Sequence, residues 1–176
     1  MSRDASWLRS HLRNVDDFPK PGIVFKDITP LLADDDAFRF AVDALADHWA
    51  GADVDLVAGI EARGFLFAAP VAYRLGAGLV PLRKPGKLPW HTVERSFELE
   101  YGIDQVMAHR DAAGEGDRVL VIDDVLATGG TAAAACGLLE DLGATVIGVG
   151  VLMELGFLDG RARLDGRDVR SLLVEA

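Results

Sequence analysis

The stretch Val119-Leu-Val-Ile-Asp-Asp-Val-Leu-Ala-Thr-Gly-Gly-Thr131 decides the fold of this chain. An apolar run that ends in two acids predicts a buried strand over residues 118–122, and a short Thr/Gly turn leads from it into a helix predicted over residues 131–142. Continuous apolar strands that alternate with helices are typical of a parallel sheet covered on both faces. We therefore expect an α/β fold built on a parallel sheet.

The same alternation continues on both sides of this stretch. Residues 5–15 carry apolar side chains at helical spacing, whereas three prolines keep residues 18–32 from forming one regular element. Residues 84–105 are polar and irregular, and a connection of that length is typical of a functional loop. The other predicted strands cover residues 54–60, 78–82, 146–152 and 171–174, and another helix is predicted over residues 65–75. A further helix is expected to start after Asp34-Asp35-Asp36 and to end at Gly51. Its expected buried residues are Phe38, Val42, Leu45 and Trp49.

Composition and charge exclude several classes of function. The 176 residues suit a single domain, and 28 acidic against 18 basic residues give a formal net charge of −10. Such a charge repels nucleic acid and anionic membranes at long range, and no apolar run reaches the ~20 residues that span a bilayer. Cys136 is the only cysteine, so a disulfide within the chain is excluded. With no apolar signal segment after Met1, we expect a cytoplasmic protein.

The turn after the 118–122 strand has the properties of a phosphate-binding loop. Gly129 and Gly130 let the backbone approach a ligand closely, the free N–H groups at the helix start favour an anion, and Thr128 and Thr131 add hydroxyl donors. Residues 127–131, here called the phosphate loop, are therefore expected to hold a terminal phosphate. It is not a Walker loop, because no Gly-Lys-Ser/Thr follows the glycines.

Two acids next to a phosphate site need another partner. Asp123 and Asp124 would repel a phosphate, so their expected partners are vicinal sugar hydroxyls or a magnesium ion shared with the substrate. The alternative is that these acids cap the following helix.

The whole pattern from Val121 to Thr131 strongly resembles the phosphoribosyl pyrophosphate (PRPP) binding motif of the type I phosphoribosyltransferase family. The resemblance implies a Rossmann-like parallel-sheet core over about residues 36–176, with a small N-terminal hood over about residues 1–35. It also implies that Asp123 and Asp124 hold the ribose 2- and 3-hydroxyls, and that magnesium arrives with PRPP. The residues implied to wrap the 5-phosphate are Ala127, Thr128, Gly129, Gly130 and Thr131.

Residues 18–32, Phe-Pro-Lys-Pro-Gly-Ile-Val-Phe-Lys-Asp-Ile-Thr-Pro-Leu-Leu, look like the adenine-specific branch of that family. In that branch the segment forms part of the hood over the base. Ile23, Val24 and Phe25 offer apolar faces to a flat heterocycle, and Lys26 stands where relatives often carry arginine. These four residues are the implied adenine-binding set, and the alternative is a proline-rich surface connection.

Two further segments supply positive charge. Gly59-Ile-Glu-Ala-Arg-Gly-Phe65 resembles the family's pyrophosphate loop, in which Arg63 supplies the positive charge. The alternative is a turn that only connects a strand to a helix. Arg83-Lys-Pro-Gly-Lys-Leu-Pro89 resembles the start of a mobile catalytic loop over residues 84–105. In this resemblance Arg83, Lys84 and Lys87 together bind an anion. The alternative is that they are ordinary charged residues on the solvated surface.

The reaction implied by the resemblance is transfer of the 5-phosphoribosyl group from PRPP to adenine, giving AMP and pyrophosphate in purine salvage by a homodimer. Relatives that act on 6-oxopurines usually carry an aspartate where this chain has Ala127, so the acid–base group is expected from Glu100 on the mobile loop. Two alternatives stay open: a transferase for xanthine or another purine, and a non-catalytic PRPP-sensing regulator.

Overall fold

The computed structural model describes residues 4–99 and 102–176. Its internal contacts divide the chain into two units, Met1–Ala44 and Leu45–Ala176. Among the described residues no helix is long and apolar enough to cross a membrane.

The smaller unit begins with a one-turn helix and a two-stranded sheet. Helix α1 (Ala5–Arg9) is capped by Asp4, whose carboxylate accepts the Trp7 N–H at 2.9 Å. Strand β1 (Arg13–Val15) then pairs antiparallel with β2 (Phe25–Asp27), and helix α2 (Thr29–Ala33) follows.

The prediction of one helix over residues 5–15 was therefore wrong beyond residue 9. The end of that segment is strand β1, which bonds across to β2: Arg13 Nε and Nη2 donate to Asp27 Oδ2 at 2.9 and 2.6 Å. Hydrogen bonds to Asp27 from the Thr29 N–H and then from Arg13 hold the pKa of this carboxyl at about 2. A local helical pattern cannot anticipate a partner 14 residues away.

The expected helix after the acidic run is present as α3 (Asp35–Asp47). The Asp34 carboxylate accepts the Ala37 N–H at 2.8 Å, as the acids at its start predicted. Val42 and Leu45 are buried and Phe38 is half-buried. The helix stops at Asp47, so the buried Trp49 lies beyond its end.

A five-stranded, wholly parallel sheet forms the centre of the larger unit. The elements of this unit are β3 (Leu56–Ile60), α4 (Gly64–Leu75), β4 (Gly78–Leu82), β7 (Arg118–Leu126), α5 (Gly130–Asp141), β8 (Thr145–Leu155) and β9 (Val169–Glu175), with two 3-10 helices (Gly156–Leu158 and Gly160–Leu164) before β9. The strand order of the sheet is β4-β3-β7-β8-β9. Its middle strand β7 contains Val119, Leu120, Val121 and Ile122, all fully buried.

The strand order contains a switch point, where the connections after two neighbouring strands run in opposite directions along the sheet. After β3 the chain continues outwards to β4, whereas after its neighbour β7 it continues in the opposite sense to β8 and β9. In parallel sheets this switch point leaves a crevice at the carboxyl ends of the two strands, where ligands bind. The turns after β3 and β7 are the segments that the sequence predicts to bind pyrophosphate and phosphate.

The prediction that residues 84–105 are irregular was wrong for more than half of that segment. Thr92–Leu99 (β5) and Gly102–His109 (β6) form an antiparallel hairpin, which joins the end of β4 through hydrogen bonds between Arg83 and Met107. One face of the hairpin packs on the core through Val93 and Val106. This period-two pattern was hidden because charged residues interrupt it: Arg95 lies on that same face, against Gly137 of α5, and its Nη1 pairs with Asp141 at 2.6 Å.

Candidate active site

The phosphate loop surrounds a small cavity at the end of β7. The cavity measures about 70 Å³ and is lined by residue 123 and residues 125–132. Gly129 adopts φ +80°, a left-handed conformation that favours glycine, and the N–H groups of the first turn of α5 begin beside it. The loop therefore offers backbone donors around a space suited to a small anion.

The two aspartates lie inside β7 rather than at the start of α5. Because β7 runs on to Leu126 and α5 starts at Gly130, neither acid is placed to cap that helix. Asp123 Oδ1 accepts the Asp124 N–H at 2.8 Å, and Asp123 is a partly buried residue that lines the cavity. The structure thus leaves Asp123 facing the ligand space and disfavours the capping alternative.

Asp124 is 5 % exposed and lies beside Arg63, in the turn after the neighbouring strand β3. Arg63 Nε is 2.7 Å from Asp124 Oδ2, an ion-pair distance, although the direction of the N–H does not make a hydrogen bond to that oxygen. This pair links the turn after β3 to β7, three residues before the phosphate loop begins, so the two neighbouring strands of the switch point are joined near their carboxyl ends.

Both aspartate pKa values are raised. Burial is the largest cause for Asp123, followed by the negative charge of Asp124, while Arg63 acts in the opposite direction. Burial also raises the pKa of Asp124, and the Arg63 guanidinium lowers it. The pair therefore accommodates two negative charges poorly without a ligand or cation that interacts with them.

Gly64 lets the turn after β3 approach β7. A Cβ atom at Gly64 would lie 2.8 Å from Asp123 Oδ1 and 3.1 Å from the Ile122 carbonyl oxygen, too close for a side chain. The glycine that opens α4 is thus required by contact with the neighbouring strand. The peptide bond between Glu61 and Ala62 in this turn is cis.

The basic residues at the end of β4 are held by carboxylates. Glu61 Oε2 accepts both the Arg83 Nε–H at 3.0 Å and the Lys84 N–H at 2.8 Å. The Lys84 ammonium forms an ion pair with Asp104 of β6 and lies 5.5 Å from the centre of the Phe97 ring. Burial acts to raise the pKa of Asp104, but the hydrogen bonds from Lys84 and from the Gln105 N–H hold it below the ordinary value.

The remaining predicted residues are spread over other parts of the chain. Lys87 is exposed in the irregular segment before β5, and its carbonyl oxygen accepts Arg83 Nη1 at 3.1 Å. Glu100 lies outside the described residues. In the smaller unit, Ile23 and Val24 are exposed, and Phe25 and Lys26 are half-buried in β2.

Comparison with known proteins shows the family to which the chain belongs. The family model of the phosphoribosyl transferase domain matches residues 31–171. An adenine phosphoribosyltransferase from Thermobifida fusca is 57 % identical over 98 % of each chain. The chain belongs to the adenine phosphoribosyltransferase family.

Solved structures from the adenine phosphoribosyltransferase family have the same fold. The enzyme from Thermoanaerobacter pseudethanolicus superimposes with a TM-score of 0.94 at 52 % identity, covering 97 % of this chain and 99 % of that one. The Saccharomyces cerevisiae enzyme, complexed with an imino-altritol bisphosphate and adenine, has a TM-score of 0.91 at 39 % identity, covering 96 % and 97 %. The α/β fold expected from the β7 stretch is confirmed.

Sequence reasoning missed the acids that hold the site's bases. The partly buried Glu61 and Asp104 are such residues, and the sequence analysis also missed Glu154 on β8, a buried acid near the phosphate loop. Glu154 had a usable signal, since a carboxylate near the end of a continuous apolar strand needs a buried partner. Glu61 and Asp104 had none, because their partners come from other strands.

Proposed function

We propose that this chain transfers the 5-phosphoribosyl group from PRPP to adenine, giving AMP and pyrophosphate in purine salvage. The observation that carries the proposal is the cavity enclosed by the phosphate loop beside Asp123, at the switch point of an adenine phosphoribosyltransferase fold. In this proposal the 5-phosphate lies among the N–H groups of residues 127–131, and the ribose hydroxyls bind Asp123 and Asp124.

The acidic pair also fits a magnesium ion that arrives with the substrate. Asp124 Oδ2 is buried and accepts no hydrogen bond from the described residues, and carboxylate oxygens are ligands that Mg²⁺ prefers. The described part of the chain has no cluster of three or more metal-ligating side chains, so substrate oxygens and water would complete the coordination. Asp123 and Asp124 would hold the ion, which would supply positive charge to the departing pyrophosphate.

The leaving group requires positive charge where the C1–O bond breaks. Arg63, Arg83, Lys84 and Lys87 are the proposed ligands of the pyrophosphate. Three of them already lie next to Asp124, Glu61 and Asp104, which keep these side chains in place before the substrate binds. Pyrophosphate then competes with these carboxylates for the same positively charged side chains, and a charge-assisted bond to the leaving anion strengthens as its charge develops.

Recognition of the base is assigned to the hood and to the mobile loop. Ile23, Val24, Phe25 and Lys26 are the proposed adenine-binding residues, and the exposure of the Ile23 and Val24 side chains leaves apolar surface for a flat ring. Glu100 is the proposed acid–base group at the imidazole ring of the base. Ala127 lines the cavity without a carboxylate, which supports a preference against 6-oxopurines.

Turnover measured with PRPP, Mg²⁺ and each of four purines tests the proposal. We expect adenine to be converted at least about a hundredfold more efficiently than hypoxanthine, guanine or xanthine, because a site that hydrogen-bonds the 6-amino group of adenine rejects purines that carry a 6-oxo group instead. A preference for xanthine would favour the xanthine transferase, and PRPP binding without turnover of any purine would favour the non-catalytic sensor.

Cellular location and assembly complete the proposal. Cys136 is buried in α5 as a free thiol, and burial raises its pKa to about 11, which suits a structural residue in a reducing cytoplasm.

A homodimer is supported by the apolar outward face of α4, where Leu66, Ala69 and Tyr73 are all exposed.

A further inference from the structure

The phosphate loop packs backbone to backbone against a turn of the chain that has no proposed role in the reaction. A Cβ atom at Gly160 would lie 2.2 Å from the Ala127 carbonyl oxygen and 3.0 Å from the Gly129 nitrogen. A Cβ atom at Gly129 would in turn lie 2.2 Å from the Gly160 carbonyl oxygen. With no side chain between the two segments, a small shift of Gly160 is passed directly to the loop.

The residue after Gly160 fixes the position of this turn. Arg161 Nε and Nη2 donate to Glu154 Oε1 and Oε2, both at 2.7 Å, and Arg161 Nη1 donates to the Val169 carbonyl oxygen at 2.8 Å. Ser171 Oγ donates to Glu154 Oε2 at 2.9 Å. The guanidinium is thereby tied to two neighbouring strands, β8 through Glu154 and β9 through Val169.

Glu154 is placed directly beside the start of the phosphate loop. It is 6 % exposed, and it pairs in register with Leu126, the last residue of β7. Hydrogen bonds from Arg161 hold its pKa below the ordinary value even though burial acts in the opposite direction. The buried partner of Arg161 is thus a carboxylate with both oxygens engaged.

Only the Glu154 carboxylate of this ion pair is buried, whereas the Arg161 side chain is 45 % exposed, so the pair gains little stability: water screens the arginine and the desolvation of Glu154 offsets part of the attraction. Its directional hydrogen bonds do, however, define a position closely. Binding a phosphate through backbone N–H groups requires such definition, since misplacement of about 1 Å can cost roughly 10²-fold.

We propose that Glu154 and Arg161 are positioning residues for the 5-phosphate: their paired side chains hold Gly160 against Ala127 and Gly129, and so fix the N–H groups of the phosphate loop. The inference rests on the proposed role of that loop. It concerns the phosphate end of PRPP only, so the pyrophosphate end, with Arg63, Arg83 and Lys84, is expected to be independent of it.

The test is Arg161→Lys, which keeps the charge but cannot form the paired bonds. Calorimetry with ribose 5-phosphate reports on the phosphate loop, and calorimetry with magnesium pyrophosphate reports on the other end of the site. We expect Arg161→Lys to weaken ribose 5-phosphate binding by about 10–100-fold and to change pyrophosphate binding by less than about twofold. In steady-state assays KM for PRPP should rise more than kcat falls.

Arg167→Lys is the matched control. Arg167 makes the same two-bond contact with a glutamate, from its Nη1 and Nη2 to Glu140 at 2.5 and 2.9 Å, on the helix rather than at the phosphate loop. Its replacement should leave both affinities unchanged. If Arg167→Lys weakens ribose 5-phosphate binding as much as Arg161→Lys does, the effect is general destabilisation and the inference is wrong.

The outcomes separate this inference from the proposed function. Unmodified protein that binds neither ribose 5-phosphate nor PRPP would overturn the proposed function. Unmodified protein that binds both, with Arg161→Lys binding ribose 5-phosphate equally well, would overturn only the positioning role. Should Arg161→Lys not fold, Glu154→Gln replaces one oxygen of the paired contact with an amide and is judged by the same two affinities, with a selective loss for ribose 5-phosphate supporting the role and no loss refuting it.

Discussion

Asp123 and Asp124 place two carboxylates on adjacent residues at the end of a buried strand, with Arg63 beside only the second of them. The raised pKa of Asp123 means that the folded protein binds its proton more readily than the unfolded chain does. The ionised carboxylate therefore lowers stability at neutral pH. A residue kept at such a cost to folding is typical of a binding site.

Asp123→Asn should separate these two effects. The amide oxygen can still accept the Asp124 N–H, so we expect the melting temperature at neutral pH to rise, because a charge that opposes folding is removed. The gain should shrink as pH falls towards about 4, the ordinary aspartate pKa, where the carboxyl is protonated in both states. PRPP affinity, measured by calorimetry with magnesium, should fall. A lower melting temperature with unchanged PRPP affinity would mean that Asp123 is a structural residue.

Glu100 carries the proposed acid–base role and gives a second prediction for single residues. Glu100→Gln should lower turnover of adenine by about 10²–10⁴, the usual range for loss of a general acid or base, while PRPP affinity changes little because the phosphate loop is untouched. Glu94→Gln is the matched control, since Glu94 is an exposed glutamate on β5. Normal turnover by Glu100→Gln would reduce Glu100 to a surface carboxylate.

At the scale of elements, the hairpin of β5 and β6 is held by two ion pairs on its inner face. Asp104 on β6 pairs with Lys84 at the end of β4, and Arg95 on β5 lies against Gly137 and pairs with Asp141 on α5. The segment between β4 and β5, residues 84–91, has no strand or helix and contains the exposed Lys87. Any movement that brings Lys87 to the pyrophosphate is therefore expected in that segment.

Trypsin digestion tests where the chain is accessible. We expect the free enzyme to be cut after Lys87 and to resist cleavage at Arg95, whose guanidinium is packed on α5. PRPP with magnesium and an unreactive adenine analogue should protect the Lys87 bond, because closure of the segment over the ligands excludes the protease. Mass spectrometry of the fragments identifies the bond, and Lys87→Gln serves as the uncut control. Equal cleavage with and without ligands would contradict closure at this segment.

The elements that local pattern predicts are those with a continuous apolar run or a clear helical period. β4, β7, α4, α5 and β8 belong to this group, and their predicted bounds differ from the observed ones by a few residues at most. The helix over residues 5–15 and the irregular segment over 84–105 were wrong because β1 and β5 depend on pairing with other strands. In the site, the β7 motif was visible in the sequence, whereas the pairing of Arg161 with Glu154 requires the folded register.

At the scale of the whole molecule, the net charge of −10 is distributed over a chain whose site must bind a polyanion. The carboxylates next to Arg63, Arg83 and Lys84 explain how this is possible. They lie next to the basic side chains without ligand, and in the proposed function these interactions are exchanged when the anion binds. We therefore expect local pairing to matter more than the overall charge for anion binding.

The outward face of α4 leads to the last prediction. A single exposed apolar side chain is ordinary, but Leu66, Ala69 and Tyr73 follow one another at helical spacing on one face, and Tyr73 is 90 % exposed. If this face forms the interface of a homodimer, sedimentation at micromolar concentration should give a dimer, and Tyr73→Glu combined with Leu66→Glu should give a monomer, because charges buried at an interface without partners oppose association. Val174→Glu, at an exposed apolar residue on β9, is the control and should remain dimeric. A dimer that persists in the α4 double variant would move the interface to another surface.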